Sequence, residues 1–263
     1  MPVKAKKSFG QHFLHREDIA RAIAGSLQSL PNCPRVLEVG PGRGMLTRFL
    51  KELPIHLRMA EADTDMVSYL ARTHPEWMPD ILEADFLKLR LEEVFEGESF
   101  AIIGNFPYNI SSQIVFRMLH YRELVPEMVG MFQREMAERI VSPPGTKDYG
   151  VISVLTQAYY EGEMLFGVDR TAFHPPPKVQ SAVIRLRRRA DQDIGCGESL
   201  FRAVVKQAFN QRRKMLRNSL KSLITDPEFL ADQSLSQRPE MLGVADFVAL
   251  SRRIAQLRID SQA

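Results

Sequence analysis

Short apolar runs alternate with amphipathic stretches through the first two-thirds of the chain. Runs at residues 35–39, 57–62, 81–84, 100–104 and 128–132 have the length of strands, and turn-forming residues bound them. Between them, residues 45–53, 66–73 and 111–121 repeat apolar positions at helical spacing. Strand–helix alternation of this kind predicts a mostly parallel, doubly wound α/β sheet. Two later runs, 163–168 and 182–186, have no helix-length pattern between them, so they predict an antiparallel pair on one sheet edge. Their connection, 169–181, contains Pro175, Pro176 and Pro177, which should make it stiff. Residues 191–197 read as a linker, and the remainder of the chain reads as helices with no strand signal. The expected organisation is a larger domain over 1–194, its first 17 residues a basic arm, and a small all-helical domain over 195–263.

Composition is that of a globular protein: 263 residues, 44% hydrophobic and 25% charged. No apolar run is long enough to span a membrane, and no continuous apolar stretch near the start suits a secretory signal. A cytoplasmic location is expected. Cys33 and Cys196 are far apart, and the six histidines lack paired ligand spacing, so neither a disulfide framework nor a bound metal is expected. The net charge of +3 is modest, but its distribution is not even. Residues 197–222 hold seven Lys or Arg and one acid, which favours a polyanionic partner for the C-terminal part.

The first chemical signal is the run Val36-Leu37-Glu38-Val39-Gly40-Pro41-Gly42-Arg43-Gly44, a strand entering a glycine-rich turn. Glycine permits the tight turn and close approach of a ligand to the backbone. Met45 stands where a dinucleotide fingerprint wants a third small residue, and no Gly-Lys-Ser/Thr follows, so the spacing disfavours both NAD and ATP. Glu61, 21 residues beyond Gly40, falls near the end of the second strand, where an acid can accept from both hydroxyls of a ribose. Asp85 ends the third strand and could accept from an adenine amino group. Either acid could instead be a solvated loop residue. Together they describe a ribose and an adenine without a phosphate cradle, as in S-adenosylmethionine.

The second signal follows the fourth strand: Asn105-Phe106-Pro107-Tyr108. An ordinary turn has the same residue types. Beside an adenosyl methyl donor, however, an amide and a ring suit one task, which is to hold a flat base by its amine. The lone pair of that amine is delocalised into the ring. The Asn105 side-chain carbonyl and the Pro107 backbone carbonyl could accept its hydrogens and free the lone pair, while Tyr108 stacks on the base. Positioning and electrostatics would supply most of the acceleration. The target base must be unpaired or flipped out. Phe173, at the rim of the proline-rich connection, is either a second stacking face or a buried loop aromatic.

Five blocks in this order resemble the ribosomal RNA adenine N6-dimethyltransferases of the bacterial small-subunit type. They are residues 8–14 (SFGQHFL), 38–44 (EVGPGRG), 105–111 (NFPYNIS), 173–181 (FHPPPKVQS) and 208–214 (AFNQRRK), the last followed by Arg217-Asn218-Ser219-Leu220. The resemblance covers nearly the whole chain. It implies a Rossmann-like methyltransferase sheet and dimethylation of two adjacent adenosines in the 3′-terminal hairpin loop of 16S rRNA. It implies S-adenosylmethionine as donor, held by His12, Leu14, Gly40, Gly42, Glu61, Asp85 and Asn105. The target site would then comprise Asn105, Pro107, Tyr108 and Phe173. His12 and Phe106 stand where many members have Asn and Leu.

Lys206, Asn210, Arg213, Arg217 and Lys221 recur at helical spacing, which predicts a shared helix face. With Arg212 and Lys214 they are the candidate RNA-binding residues, against the alternative of a solvated basic face. Lys4, Lys6 and Lys7 could form an arm that orders on RNA. The expected partner is small-subunit rRNA in a pre-30S particle, and the expected state is monomeric. Two alternatives are a resistance-type methyltransferase of large-subunit rRNA and a non-catalytic RNA-binding assembly or transcription factor. Decay of the glycine turn or of the Asn-Phe-Pro-Tyr motif would mark the second, and both are intact.

Overall fold

A computed structural model of the chain describes Lys6, residues 10–224 and residues 226–260. The chain forms, in order, strands β1 (Phe13–Leu14), β2 (Arg35–Val39), β3 (His56–Glu61), β4 (Ile81–Glu83) and β5 (Ala101–Asn105). These are followed by β6 (Glu127–Gln133), β7 (Tyr160–Val168), β8 (Phe173–His174) and β9 (Ser181–Arg188). Seven of them make one sheet in the order β4-β3-β2-β5-β6-β9-β7. Pairing is parallel from β4 to β6, and β9 runs antiparallel to β6. All five parallel strands lie where the sequence predicts them. The two late runs are neighbours on the expected edge, with β9 inserted beside β6.

Burial explains why these segments are strands. Residues 128–132 of β6 and 101–104 of β5 are buried at every position, as parallel strands covered on both faces must be. Alternate side chains share a core: Val36, Ala101, Ile103, Val129, Met131 and Val183 pack with Ile23, Leu46, Phe49 and Leu50. The chain starts the sheet at its centre, winds outward through β3 and β4, then returns to β5 on the other side. The order therefore reverses between β2 and β5, and the carboxyl ends of those two strands flank the crevice where open α/β sheets bind ligands. Gly40 follows β2, and Asn105 ends β5.

The backbone gathers into two compact units. The first comprises residues up to 137 together with 161–188, and the second comprises 138–160 together with 189 onward. This corrects the expected division at 194. Residues 138–160 join the helical unit because their polar groups are met there. Gly145 N–H donates to the Glu240 carbonyl (2.7 Å), the Arg212 guanidinium donates to the Thr146 carbonyl (3.1 Å), and Tyr149 packs edge-on against Phe209. The helical unit's apolar centre includes Phe201, Val205, Ala208, Leu216, Leu220, Phe247 and Ile254, and no strand occurs in residues 189–224 or 226–260.

A second correction concerns the basic face. Helix Glu198–Asn210 stops at Asn210, and the next helical turn is Leu216–Ser219. Lys206, Asn210, Arg213, Arg217 and Lys221 therefore do not share one helix face. Arg212 stands four residues beyond the buried Ala208, so a continuous helix would carry it onto the core stripe. The break delivers it to Thr146 instead, and the Leu216 N–H donates to the Gln237 carbonyl (2.9 Å).

Candidate active site

The carboxyl ends of β2, β3 and β5 and the segment 10–14 line one cavity of about 270 Å³. His12, Leu14, Gly40, Gly42, Glu61, Asp85, Asn105, Pro107 and Tyr108 all border it. The glycine turn shapes the floor. Gly40, Gly42 and Gly44 have φ of +71°, +56° and +79°, which side chains other than hydrogen rarely allow. A Cβ on Gly40 would meet no atom within 4 Å, so the backbone there borders open space. At Gly44 a Cβ would lie 2.6 Å from the Trp77 ring, so that glycine serves packing beneath the turn.

Glu61 is 6% exposed, and backbone donors hold its carboxylate: Gly42 N–H to Oε2 (3.0 Å) and Asp63 N–H to Oε1 (2.9 Å). Each oxygen keeps a further lone pair for hydroxyls in the cavity. Burial pushes this carboxyl above its ordinary range, against the pull of the two N–H donors. Asp85 closes an Asx turn through Leu87 N–H (2.9 Å), with Lys88 at 3.9 Å.

Asn105 donates from Nδ2 to the His12 backbone carbonyl (3.1 Å). Its Oδ1 receives no hydrogen bond from any described residue and is a ready acceptor. The Pro107 carbonyl already accepts Ile110 N–H (3.2 Å), which leaves it one lone pair. The Tyr108 ring is oriented at both ends, since its Oη pairs with Ser181 Oγ (2.6 Å) and its carbonyl accepts from Ser111 Oγ (3.1 Å). Burial raises its phenol. The His12 ring stacks on Tyr108 with centroids 5.5 Å apart and planes at 28°, and its Nδ1 meets the Pro175 carbonyl at 2.8 Å.

Phe173 does not reach the cavity. Antiparallel pairing of β1 with β8 sets Phe173 opposite Leu14, and its side chain, 2% exposed, packs into the core with Ala172 and Val168. Of the two readings open in the sequence, this structure has the buried aromatic. Of the expected basic arm, Lys6 is described. Lys6 already lies 2.6 Å from Asp63 and 2.7 Å from Asp65, while Lys4 and Lys7 fall outside the described residues.

Two acids escaped the sequence reading. Glu38, in the middle of β2, lines the cavity at 1% exposure and accepts from Thr47 Oγ1 (2.7 Å). Complete burial, with a further push from Glu61, raises its carboxyl to about 8. A lone acid inside an apolar strand is the signal that could have found it. Asp63 is 1% exposed and caps helix Thr64–Thr73. Burial alone would raise its carboxyl, but hydrogen bonds from Lys6 and from Gln11 Nε2 (2.8 Å) outweigh it and hold the group below its ordinary range. Gln11 and Asp63 are 52 residues apart, and nothing local announces the pair.

The arrangement suits an adenosyl methyl donor. It offers a ribose acceptor in Glu61, a backbone cradle open at Gly40, and the buried acid Glu38 in the same cavity. Asn105 and Tyr108 add a grip for an amine-bearing ring at the same cavity.

The sequence profile of the family described as ribosomal RNA adenine dimethylase matches residues 3–245, so the chain belongs to that family. Among curated proteins, the chain is 52% identical over 252 residues to the ribosomal RNA small subunit methyltransferase A of Flavobacterium johnsoniae, covering 96% of each. It is 50% identical over 258 residues to that of Porphyromonas gingivalis, covering 97% of this chain and 100% of the relative. The fold resembles that of a dimethyladenosine transferase from Plasmodium falciparum, with a TM-score of 0.74 at 24% identity over 94% of this chain and 98% of that one. It also resembles the 23S rRNA methyltransferase ErmE, with a TM-score of 0.66 at 26% identity over 93% and 100%.

Proposed function

We propose that this chain transfers methyl groups from S-adenosylmethionine to N6 of two adjacent adenosines in the 3′-terminal hairpin loop of 16S rRNA. One observation carries the assignment: Asn105, whose carbonyl oxygen has no partner among the described residues, and the fixed ring of Tyr108 border the same cavity as the ribose acceptor Glu61. Near-full-length similarity to small-subunit methyltransferases supports the choice of RNA over the large-subunit alternative.

The donor supplies an electrophilic methyl group on a sulfonium. The protein's part is to hold and orient. Glu61 would take the ribose hydroxyls and Asp85 the adenine amine, and the backbone at Gly40 and Gly42 would let the ligand lie close. His12 and Leu14 would hold the methionine side. Asn105 Oδ1 and the remaining lone pair of the Pro107 carbonyl accept the hydrogens of the target amine, which draws its lone pair out of the ring. Tyr108 stacks on the target base, an interaction worth about 1–3 kcal/mol. No strong base is required, because the proton leaves after the methyl group has arrived.

The helical unit provides the RNA surface. Lys206, Arg213, Lys214 and Lys221 are exposed, whereas Arg212 and Arg217 are half-buried. Phosphate contacts by these residues would give affinity without sequence information. The protein acts as a monomer in the cytoplasm on rRNA within a pre-30S particle.

The test is radiolabelled methyl transfer to undermethylated small subunits and to naked 16S and 23S rRNA, with modified bases mapped. The expected product is dimethyladenosine at two adjacent positions in 16S rRNA, formed faster in the particle. Methylation of 23S rRNA alone would sink the assignment.

A further inference from the structure

The target base must touch two groups at once, the carbonyl end of Asn105 and the ring of Tyr108. One residue already touches both side chains, Asn105 at its amide nitrogen and Tyr108 at its ring. The His12 backbone carbonyl accepts from Asn105 Nδ2 (3.1 Å), and the His12 ring lies over Tyr108 at 5.5 Å. Stacked aromatic pairs keep their centroids about 4.5 Å or more apart. A base held between two rings therefore needs roughly twice that separation, and none can enter between rings 5.5 Å apart.

We propose, on the reading of Tyr108 as the base platform, that the His12 ring is a placeholder for the target adenine. It covers the platform until a base displaces it. Two features make the displacement local. The strand beneath is held independently of the ring, by Asn105 and by pairing of Phe13 with His174. The ring itself is anchored by the stack and by one exposed hydrogen bond, in which Nδ1 must be the donor because the Pro175 carbonyl can only accept. Rotation about the side-chain bonds clears Tyr108 without moving the backbone.

The consequence is selectivity. A ring that merely stacks must give back the His12–Tyr108 stack and the Pro175 bond for its own stacking. An adenine that also satisfies Asn105 recovers the difference. The covered platform thus works against wrong occupants rather than for the right one. His12 would be a specificity-determining residue of the target site, in addition to its place at the methionine side.

The test uses a 16S 3′-terminal hairpin carrying 8-vinyladenosine, a fluorescent adenosine that keeps the 6-amine, at the target position, with binding followed by quenching of its fluorescence. Cofactor is omitted, so changes at the methionine side do not enter. His12→Asn and His12→Ala should tighten binding about three- to tenfold, the range of one aromatic pair, and deepen the quench. His12→Phe, which restores a ring over Tyr108, should not tighten binding. The gain in His12→Asn should vanish when Tyr108→Ala is added. Unchanged or weaker binding in both His12→Asn and His12→Ala would overturn the placeholder, as would equal tightening in His12→Phe. No quenching in any protein with Tyr108 intact would overturn the base platform and the placeholder with it. Methyl transfer by the unmodified protein to undermethylated subunits separates that outcome from loss of the placeholder alone.

Discussion

Gly104 and Gly130 are partners in register on the neighbouring parallel strands β5 and β6, and the Phe106 ring fills the space both leave. A Cβ on Gly130 would lie 2.2 Å from Phe106 Cε2, and one on Gly104 would lie 2.6 Å from the Val39 carbonyl oxygen. Phe106 is 1% exposed and meets Phe132 edge-on at 5.1 Å. The aromatic thus pins the backbone between Asn105 and Pro107, whose acceptors must be placed accurately. Gly130→Ala should destabilise the protein by about 1–3 kcal/mol through overpacking. Phe106→Leu should cost about 1 kcal/mol, and adding it to Gly130→Ala should recover part of the loss. Urea unfolding of the two single variants and the double variant measures this. Strictly additive losses would show that Gly130 and Phe106 do not share the space.

Glu61 and Asn105 border one cavity but should fail differently. Glu61→Ala removes the ribose acceptor and leaves the Gly42 and Asp63 N–H groups, the latter buried, without their carboxylate. Cofactor affinity should fall by about 100-fold, and the thermal midpoint should drop as well. Asn105→Ala should leave the protein folded and abolish methyl transfer while cofactor affinity falls less. Trp77 is the only tryptophan, and its ring packs under Gly44 of the glycine turn, so its fluorescence is the signal to follow on adding cofactor. Full methyl transfer by either variant would contradict the site.

The sheet was legible because parallel strands buried on both faces read as apolar runs; 100–104 and 128–132 are unbroken, and 35–39 is interrupted within the strand only by Glu38. Glu61, Asp85 and Asn105 were legible because Glu61 and Asn105 end strands and Asp85 lies two residues past one, and strand ends in such a sheet converge. The features that escaped depend on partners distant in sequence. Asp63 is met by Lys6 and Gln11, and residues 138–160 are met by Arg212 and Glu240. The break after Asn210 carries no glycine or proline, so nothing local in the sequence announces it. Phe173 was ambiguous because its orientation follows from the two-residue β1–β8 register, which no periodicity reveals.

Glu38 gives the stability a pH dependence of predictable sign. An unfolded glutamate titrates near about 4.3, whereas burial raises folded Glu38 to about 8. Between those values the folded state holds a proton that the unfolded state has released, so stability falls as pH rises through that window. The cofactor-free protein should therefore lose thermal stability from about pH 5 to about pH 8. Glu38→Gln should flatten this slope and be at least as stable at the upper end. A cationic ligand in the same cavity favours the ionised form, so cofactor binding near neutral pH should release protons. Calorimetry in two buffers of different ionisation enthalpy reads the release, and Glu38→Gln should remove it. A variant that keeps both the slope and the release would assign them to another group.

The basic residues after helix Glu198–Asn210 should separate into two classes. Arg213 and Lys214 are exposed and have no ion-pair partner among the described residues. Arg212 donates to the Thr146 carbonyl and lies 3.9 Å from Glu240, so it also ties 138–160 into the helical unit. Charge reversal of Arg213 and Lys214 should weaken RNA binding, lower the salt slope by about 0.9 for each phosphate no longer neutralised, and leave cofactor affinity and the unfolding midpoint unchanged. Arg212→Ala should instead lower the midpoint, by about 1 kcal/mol for the missing hydrogen bond, with any loss of RNA affinity added to it. Filter binding across a salt series, alongside urea unfolding, distinguishes the two. If Arg213→Glu and Lys214→Glu leave the salt slope untouched, the RNA-binding surface lies elsewhere on the protein. If Arg212→Ala behaves as they do, its bond to Thr146 contributes nothing to the fold.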